Sequence, residues 1–306
     1  MDIERLEDWF VCLDLTSMDD ILIGYADFLT TEIKPKKITF IHVIKSTDAA
    51  KDMVQLFPEL ENREDFDKVI RKDLQQKIDN YFNGTKVETE LVIKTGRPTD
   101  KIVDMMNSIH PDVTIMGKKA GYTGKGVIPR KIMKYVSSSI LFVPESARYQ
   151  LTKALVPTDF SEQSAKAIKM AHEMTEENGG KVIAQNVYNY PAQFFPYIPQ
   201  DDDEEKMNQY LKGKKEDFIE TYSIPDNVDF VFSLNVEGSK MDQIYDLVIR
   251  EQIDMIVGVS KADKGITSVF REDFTDKMAY FRFGVPLFIR KDKKKHQKFL
   301  KSLFGS

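Results

Sequence analysis

The sequence predicts an α/β protein that consists of two tandem domains, each with a parallel sheet. Three observations support this fold class. The chain has 306 residues, which suits two domains of about 150 residues each. Short apolar runs alternate with longer amphipathic stretches, and parallel strands need such crossover helices between them. The order of elements in the first half recurs in the second, which indicates a duplicated domain.

The first half contains five short apolar runs. We predict them to be strands, at residues 9–13, 38–44, 87–94, 113–116 and 140–143. The first run ends at Asp14, and Thr16 or Ser17 is placed to cap the helix that follows. Asp19 and Asp20 lie in the first turn of this helix, where the helix dipole favours negative charge. Helical spacing of apolar residues also occurs at residues 48–83, 99–108 and 127–136.

The second half opens with the clearest strand–turn–helix pattern of the chain, at residues 151–174. Its apolar run stops before Asp159, and Ser161 is placed as the N-cap of the next helix. An acidic side chain at such a junction lies where open α/β sheets bind ligands. The predicted strands are 154–158, 182–188, 228–234, 255–257 and 286–290, and the predicted helices are 161–177, 240–250 and 271–281. We interpret residues 189–222 as a long insert.

Matched residues of the two halves are separated by a nearly constant distance along the chain. The pairs are Asp14 with Asp159, Gly96 with Gly238, Ile102 with Ile244, and Gly117 with Gly258. We therefore predict a first domain at residues 1–147, a second at 148–292, and a basic tail at 293–306.

Composition narrows the class of protein. A net charge of −5 gives no reason to expect a nucleic-acid partner, because such proteins usually present a basic face. The single cysteine, Cys12, excludes a disulfide framework within the chain, and its apolar surroundings favour a packed side chain over a reactive thiol. No apolar run is long enough for a transmembrane segment, and the charged start of the chain lacks a signal core. We expect a soluble, cytoplasmic protein.

Four blocks of the sequence resemble the universal stress protein family. The block VPTDFSEQSAKAIKMA at residues 156–171 is similar to the opening of that family's domain. In the first half, TGRPTDKIVDMM, HPDVTIMGKKAG and GVIPRKIMKYVSSSILFVPE resemble its later blocks, in the family's order. The resemblance implies two doubly wound, Rossmann-like domains, each with a five-stranded parallel sheet of order 3-2-1-4-5. It also implies pairing through the last strands, 140–143 and 286–290, as an intramolecular pseudo-dimer, with a homodimer as a further arrangement.

Many members of that family bind ATP through an acidic residue after the first strand and a glycine-rich loop after the fourth. The resemblance therefore implies a set of cofactor-binding residues: Asp14, Val43, Gly117, Gly121, Gly126, Asp159 and Gly258. The chain departs from the family's loop pattern in both halves. In the first half, three residues separate Gly117 from Gly121 and four separate Gly121 from Gly126, where the family pattern has two and nine, and Val127 replaces the hydroxyl residue. In the second half Asp273-Phe274 stands where Gly-Ser is expected. We expect no triphosphate binding in the second half.

The loop of the first half leaves two interpretations open. Its glycines are accompanied by Lys118, Lys119, Lys125, Arg130 and Lys131, so it could hold an anion, or it could be an ordinary solvated loop. His42 ends the second strand near Asp14, and we expect a hydrogen-bonded structural histidine there, matched by Asn186 in the second half. The histidines lack metal-ligand spacing, and no catalytic constellation stands out, so we predict neither a metal site nor an enzyme.

Two segments could bind a protein partner. Residues 190–211 combine aromatic residues, prolines and an acidic run, which suits a partner-binding loop or a lid. The tail pairs basic with apolar residues, a pattern that suits docking on an acidic groove or an anionic membrane. We favour a helix folded back on its own chain, or a frayed terminus, over membrane binding. We interpret the chain as a non-enzymatic, stress-related regulatory module with eroded nucleotide binding that acts through protein partners. The alternative is a sensor that binds ATP or AMP in the first half, through Asp14 and the loop Gly117–Gly126.

Overall fold

The computed structural model describes residues 6–45, 63–119, 132–133, 135–189, 201–235, 239–260 and 274–291. These residues divide into two compact units. One unit runs to Tyr149 and includes Lys291, and the other runs from Gln150 to Arg290. The segments 46–62 and 120–131, the start of the 190–211 segment, Gly238, Asp273 and the tail at 293–306 lie outside the described residues.

The described residues of the first unit form five strands and three long helices. Its strands are β1 (Asp8–Leu13), β2 (Lys37–Lys45), β3 (Glu88–Gly96), β4 (Val113–Lys118) and β5 (Ser139–Pro144). Its helices are α1 (Met18–Glu32), α2 (Arg63–Phe82) and α3 (Pro98–Ile109). The strands form a sheet of order β3-β2-β1-β4-β5, and the pairs are parallel. The central strand β1 buries Trp9, Phe10 and Val11, as expected for a parallel sheet covered by helices.

The second unit repeats this arrangement. Its strands are β6 (Lys153–Pro157), β7 (Lys181–Tyr188), β8 (Val228–Leu234), β9 (Met255–Val259) and β10 (Leu287–Arg290). Its helices are α4 (Glu162–Glu176), α5 (Asp201–Tyr222), α6 (Lys240–Glu251) and α7 (Phe274–Tyr280). The order β8-β7-β6-β9-β10 has the same pattern as in the first unit, again with parallel pairs. The predicted fold class and the order 3-2-1-4-5 are confirmed in both halves.

Matched aspartates hold the start of the central strand in each unit. The Asp112 carboxylate accepts hydrogen bonds from the backbone N–H groups of Glu7 and Asp8, both at 3.0 Å. The Asp254 carboxylate does the same for Thr152 and Lys153, at 2.9 and 3.0 Å, and it also accepts from the Thr152 hydroxyl. A buried backbone N–H needs such a partner. The duplication therefore extends to details that the apolar pattern does not contain.

The predicted helix caps fare differently in the two halves. Ser161 caps α4 as expected, because its hydroxyl accepts a hydrogen bond from the Ser164 N–H. At α1 the Thr16 hydroxyl accepts from the Met18 N–H at 3.2 Å, while Ser17 makes no side-chain cap bond.

The interpretation of residues 190–211 as a loop is wrong from Asp201 onward, because α5 begins there and continues for 22 residues. The helix buries a narrow stripe that contains Leu211 and Phe218. Because that stripe contains few residues and the segment contains many charged ones, the sequence pattern does not indicate the helix.

The described part of the chain contains neither a membrane-spanning helix nor a cluster of metal ligands. None of its helices has the length and apolarity that a bilayer span requires. Its His, Cys, Asp and Glu side chains form no group of three or more that could hold a metal ion.

Candidate functional site

The carboxyl ends of the central strands carry the predicted site residues in both units. Asp14 follows β1, Asp159 follows β6, and Gly117 and Gly258 lie near the ends of β4 and β9. Each aspartate is followed by a residue with a left-handed backbone, Leu15 at φ 59° and Phe160 at φ 60°. The two turns therefore share one backbone shape, while their side chains differ.

In the second unit the turn is held by hydroxyl groups. The Thr158 hydroxyl accepts a hydrogen bond from the Phe160 N–H at 3.0 Å and donates to the Ser164 hydroxyl at 2.9 Å. The Ser164 hydroxyl donates in turn to the Ser161 carbonyl at 2.9 Å. The Asp159 carboxylate accepts from the Ser161 N–H at 3.2 Å and lies exposed at the edge of the turn. A neutral network thus positions an accessible carboxylate.

A cavity of about 240 Å³ opens at this turn. Asp159 and Gly258 both line it, so the structure brings these two predicted residues together. Its polar lining includes Thr158, Ser161, Gln163, Ser164, Gln185 and Thr275, and its apolar lining includes Pro157, Val187, Val259, Phe274 and Met278. Among the described lining residues, Lys240 carries the one positive charge. Such a mixture of apolar walls and a few polar groups is typical of small-molecule sites.

Phe274 forms part of the wall that follows β9. It is the first residue of α7, and 36% of its side chain is exposed. The neighbouring Thr275 is buried, and its hydroxyl donates to the Val259 carbonyl at 2.7 Å rather than remaining available to a ligand. This wall therefore presents an aromatic surface, whereas binding of a phosphate group at this place would require hydrogen-bond donors.

In the first unit the acidic residue has a cation as its partner. The Lys119 ammonium lies 2.8 Å from the Asp14 carboxylate, and the Thr16 hydroxyl donates to the other carboxylate oxygen. Both side chains keep contact with solvent, so we assign this pair little net stabilisation. The ion pair nevertheless occupies the carboxylate that the sequence places in the site.

Asp19 holds the turn of the first unit from beneath. Its carboxylate is fully buried and accepts hydrogen bonds from the backbone N–H groups of Asp14 at 2.8 Å and Leu15 at 2.9 Å. Burial raises the pKa of the Asp19 carboxyl to about 6, and this desolvation outweighs the two favourable hydrogen bonds. The matching position in the second unit is Ser164. Sequence reasoning assigned Asp19 only to the helix dipole, since nothing in the pattern marks which acidic residue turns inward.

His42 has the structural role expected for it. Its Nδ1 lies 3.1 Å from the Leu13 carbonyl, which can only accept, so Nδ1 carries the proton. Burial lowers the pKa of the His42 imidazole, which keeps the ring neutral at pH 7. In the second unit the Asn186 side chain donates to the Thr158 carbonyl at 2.8 Å, in the same place. The predicted correspondence of His42 with Asn186 is confirmed.

The two strand-end glycines differ in the space above them. A Cβ atom on Gly117 would lie 2.5 Å from Cγ of Met18, a buried residue of α1. A Cβ atom on Gly258 would lie 3.3 Å from the terminal carbon of Met278, a tight contact that the flexible end of this side chain relieves by a shift of a few tenths of an ångström. In the first unit the chain's own methionine therefore covers the glycine, whereas Gly258 borders the cavity.

The remaining predicted residues are less informative. Val43 lies on β2, buried, one position beyond His42. Gly121 and Gly126 lie outside the described residues. The sequence reasoning did not select Val187, Gln185 or Lys240, although all three line the cavity. Val187 and Gln185 lie within the strand pattern of β7, which gives no separate signal for a binding residue. Lys240 is one of many lysines in the chain.

One family model matches a part of the chain that lies within the second unit. Residues 151–279 match the sequence model of the Universal stress protein family. No curated protein matches the sequence.

Solved structures resemble the chain over nearly its whole length. A universal stress protein from Archaeoglobus fulgidus is 15% identical, with a TM-score of 0.60 over 94% of this chain and 97% of that one. A putative universal stress protein from Pseudomonas aeruginosa is 12% identical, with a TM-score of 0.64 over 97% of each chain. At these identities the likeness establishes the fold, and it extends over both halves.

Proposed function

Because residues 151–279 carry a universal stress protein domain, we propose that the chain is a non-enzymatic regulatory protein that senses a small ligand through the cavity of its second unit. The observation that carries the proposal is the position of this cavity. It lies at the carboxyl ends of β6, β7 and β9, where open α/β sheets bind ligands, and it is lined by Asp159 and Gly258. The Asp159 carboxylate is suited to accept hydrogen bonds from ligand hydroxyl or amino groups.

The ligand that fits best is a nucleoside or a nucleoside monophosphate. The cavity, at about 240 Å³, is smaller than the roughly 300–1,000 Å³ of common ligand pockets. Phe274 forms an apolar wall after β9, and Lys240 is the one cation in the described lining, so a triphosphate would find few partners. We choose adenine as the base because the chain resembles the universal stress protein family, many of whose members bind ATP. In this proposal nucleotide binding is eroded rather than lost.

The regulatory output is proposed to pass through protein partners. Tyr210 on α5 supports this, because 56% of the side chain is exposed and tyrosine is enriched at protein interfaces. Pairing of the last strands as a pseudo-dimer, and any homodimer, stay predictions.

A second candidate places the ligand in the first unit, at Asp14 and the loop Gly117–Gly126. The Asp14–Lys119 ion pair favours it, since a phosphate group could replace the carboxylate as the partner of Lys119. Met18 disfavours it, because this side chain covers Gly117 and would have to move.

Binding of adenosine, AMP and ATP to the purified chain, measured by isothermal titration calorimetry, tests both candidates. We expect adenosine or AMP to bind at one site per chain and more tightly than ATP. Asp159→Ala should weaken binding about tenfold or more, as expected for loss of a charged hydrogen-bond acceptor, while Asp14→Ala should not. The reverse pattern would move the site to the first unit.

Two other results would contradict the proposal itself. If the wild-type chain binds none of the three compounds, and none is released when the fresh protein is denatured, the sensor is excluded and the partner-binding scaffold remains. If a bound nucleotide is turned over and Asp14→Ala abolishes the turnover, the protein is an enzyme.

A further inference from the structure

Gln185 is a polar residue in a position where the fold calls for an apolar one. It lies in β7, opposite Pro157 of β6, and its side chain is fully buried. The matching position in the first unit is Ile41, which lies opposite Cys12 and is also buried. Burying an amide side chain costs free energy unless each polar atom finds a partner. Packing alone therefore does not explain why a glutamine occupies this buried position.

The nitrogen of this amide is fully engaged. Nε2 donates to the Ser233 hydroxyl and to the Gln243 carbonyl, both at 2.9 Å. A carbonyl oxygen can only accept a hydrogen bond, so the contact with Gln243 identifies which end of the amide is the nitrogen. The orientation of the side chain is thereby determined, and Oε1 points away from Gln243.

The oxygen of the amide is buried and accepts no hydrogen bond from the residues that the structure describes. Gln185 lines the cavity together with Thr158 and Ser164, whose hydroxyls are candidate donors in that turn. Both hydroxyl protons are already committed, that of Thr158 to Ser164 and that of Ser164 to the Ser161 carbonyl. Neither can serve Oε1 without breaking the network that holds the turn.

We propose that Gln185 Oε1 is the acceptor for an N–H or O–H group at the inner end of the ligand. The inference rests on the proposed function and adds a rule of selection. Ligands of nucleoside size are accepted when they present a donor to Gln185, and close analogues without that donor are rejected. Rejection follows because such an analogue leaves a buried acceptor unpaired, which costs more than a lost surface hydrogen bond.

The test compares adenosine with three analogues that each lack one donor: purine riboside, 2′-deoxyadenosine and 3′-deoxyadenosine. Binding is measured by calorimetry for the wild-type chain, Gln185→Leu and Gln185→Met. We expect one analogue to bind the wild type about 10- to 100-fold more weakly than adenosine, as for one buried unpaired acceptor. Both variants should bind that analogue and adenosine with nearly equal affinity.

Ser233→Ala is the matched control. It removes one partner of Nε2 and leaves Oε1 in place, so it should keep the preference for adenosine. Circular dichroism and thermal melting of each variant report whether the second unit is folded.

The outcomes separate this inference from the proposed function. If the wild type binds adenosine and all three analogues equally, or if the preference survives in both Gln185 variants, the inference is wrong while the sensor stands. If the wild type binds none of the four nucleosides, the inference is wrong, and if it also binds neither AMP nor ATP, the proposed function is overturned as well. Equal binding of adenosine and all three analogues by the wild type refutes the inference even if neither Gln185 variant folds.

Discussion

Asp19 should make the stability of the first unit depend on pH in a direction opposite to that of most acidic residues. Its carboxyl is buried, and burial raises its pKa from 3.8 to about 6. The folded chain therefore holds this proton more tightly than the unfolded chain does. The stabilisation is fully present below pH 3.8 and is lost as pH rises through 6.

The magnitude follows from the pKa shift. Each unit corresponds to about 1.4 kcal/mol, so the whole shift corresponds to about 3 kcal/mol. Between pH 7 and pH 5 the Asp19 carboxyl of the folded chain takes up most of its proton, whereas the same carboxyl of the unfolded chain stays largely ionised. In that interval the free energy of unfolding should rise by roughly 1 kcal/mol because of this one group. The neighbouring charges act in opposite directions, since Asp14 raises the pKa of Asp19 and Lys77 lowers it.

Urea unfolding of the wild type and of Asp19→Asn, measured between pH 5 and pH 7.5, isolates this contribution as a difference between two curves. Asp19→Ser, which copies Ser164 of the second unit, should remove the same pH dependence. Asp20→Asn serves as the control, because Asp20 is an exposed acid of the same helix turn. Equal slopes in the wild type and Asp19→Asn, or a wild type that loses stability toward pH 5 relative to that variant, would refute the reasoning.

Three further substitutions test matched elements of the two units by thermal melting. Gly117→Ala should destabilise the chain by about 1–3 kcal/mol, because the new methyl group meets Met18 at 2.5 Å, whereas Gly258→Ala should cost clearly less. Equal melting temperatures for these two variants would contradict the difference in space. Asp254→Ala should cost about 1–3 kcal/mol by leaving two backbone N–H groups at the start of β6 unpaired, and a change below 0.5 kcal/mol, roughly that of a neutral surface substitution, would exclude that role.

The sequence by itself determined the fold class, because the signals for it are local or periodic. Strands buried on both faces appear as short apolar runs, and their crossover helices appear as amphipathic stretches. The offset between Asp14 and Asp159 revealed the duplication without any three-dimensional information. The sequence does not indicate helix α5, because only a narrow stripe that contains Leu211 and Phe218 faces the core. The helical spacing of its apolar residues is therefore weak against the surrounding charged residues.

The chemistry of the candidate site was decided by the tertiary structure. Asp19 and Asp20 are adjacent in sequence and identical in kind, yet one is buried beneath a turn and the other is exposed. The sequence does not distinguish Gln185 from its other glutamines, and its amide orientation is determined by the Gln243 carbonyl on helix α6. This orientation depends on residues far apart in the chain, whereas the burial of Asp19 depends on which side of its helix faces the core. A periodic pattern specifies the face of an element, whereas hydrogen-bond partners and burial at a single side chain follow only from the packed chain.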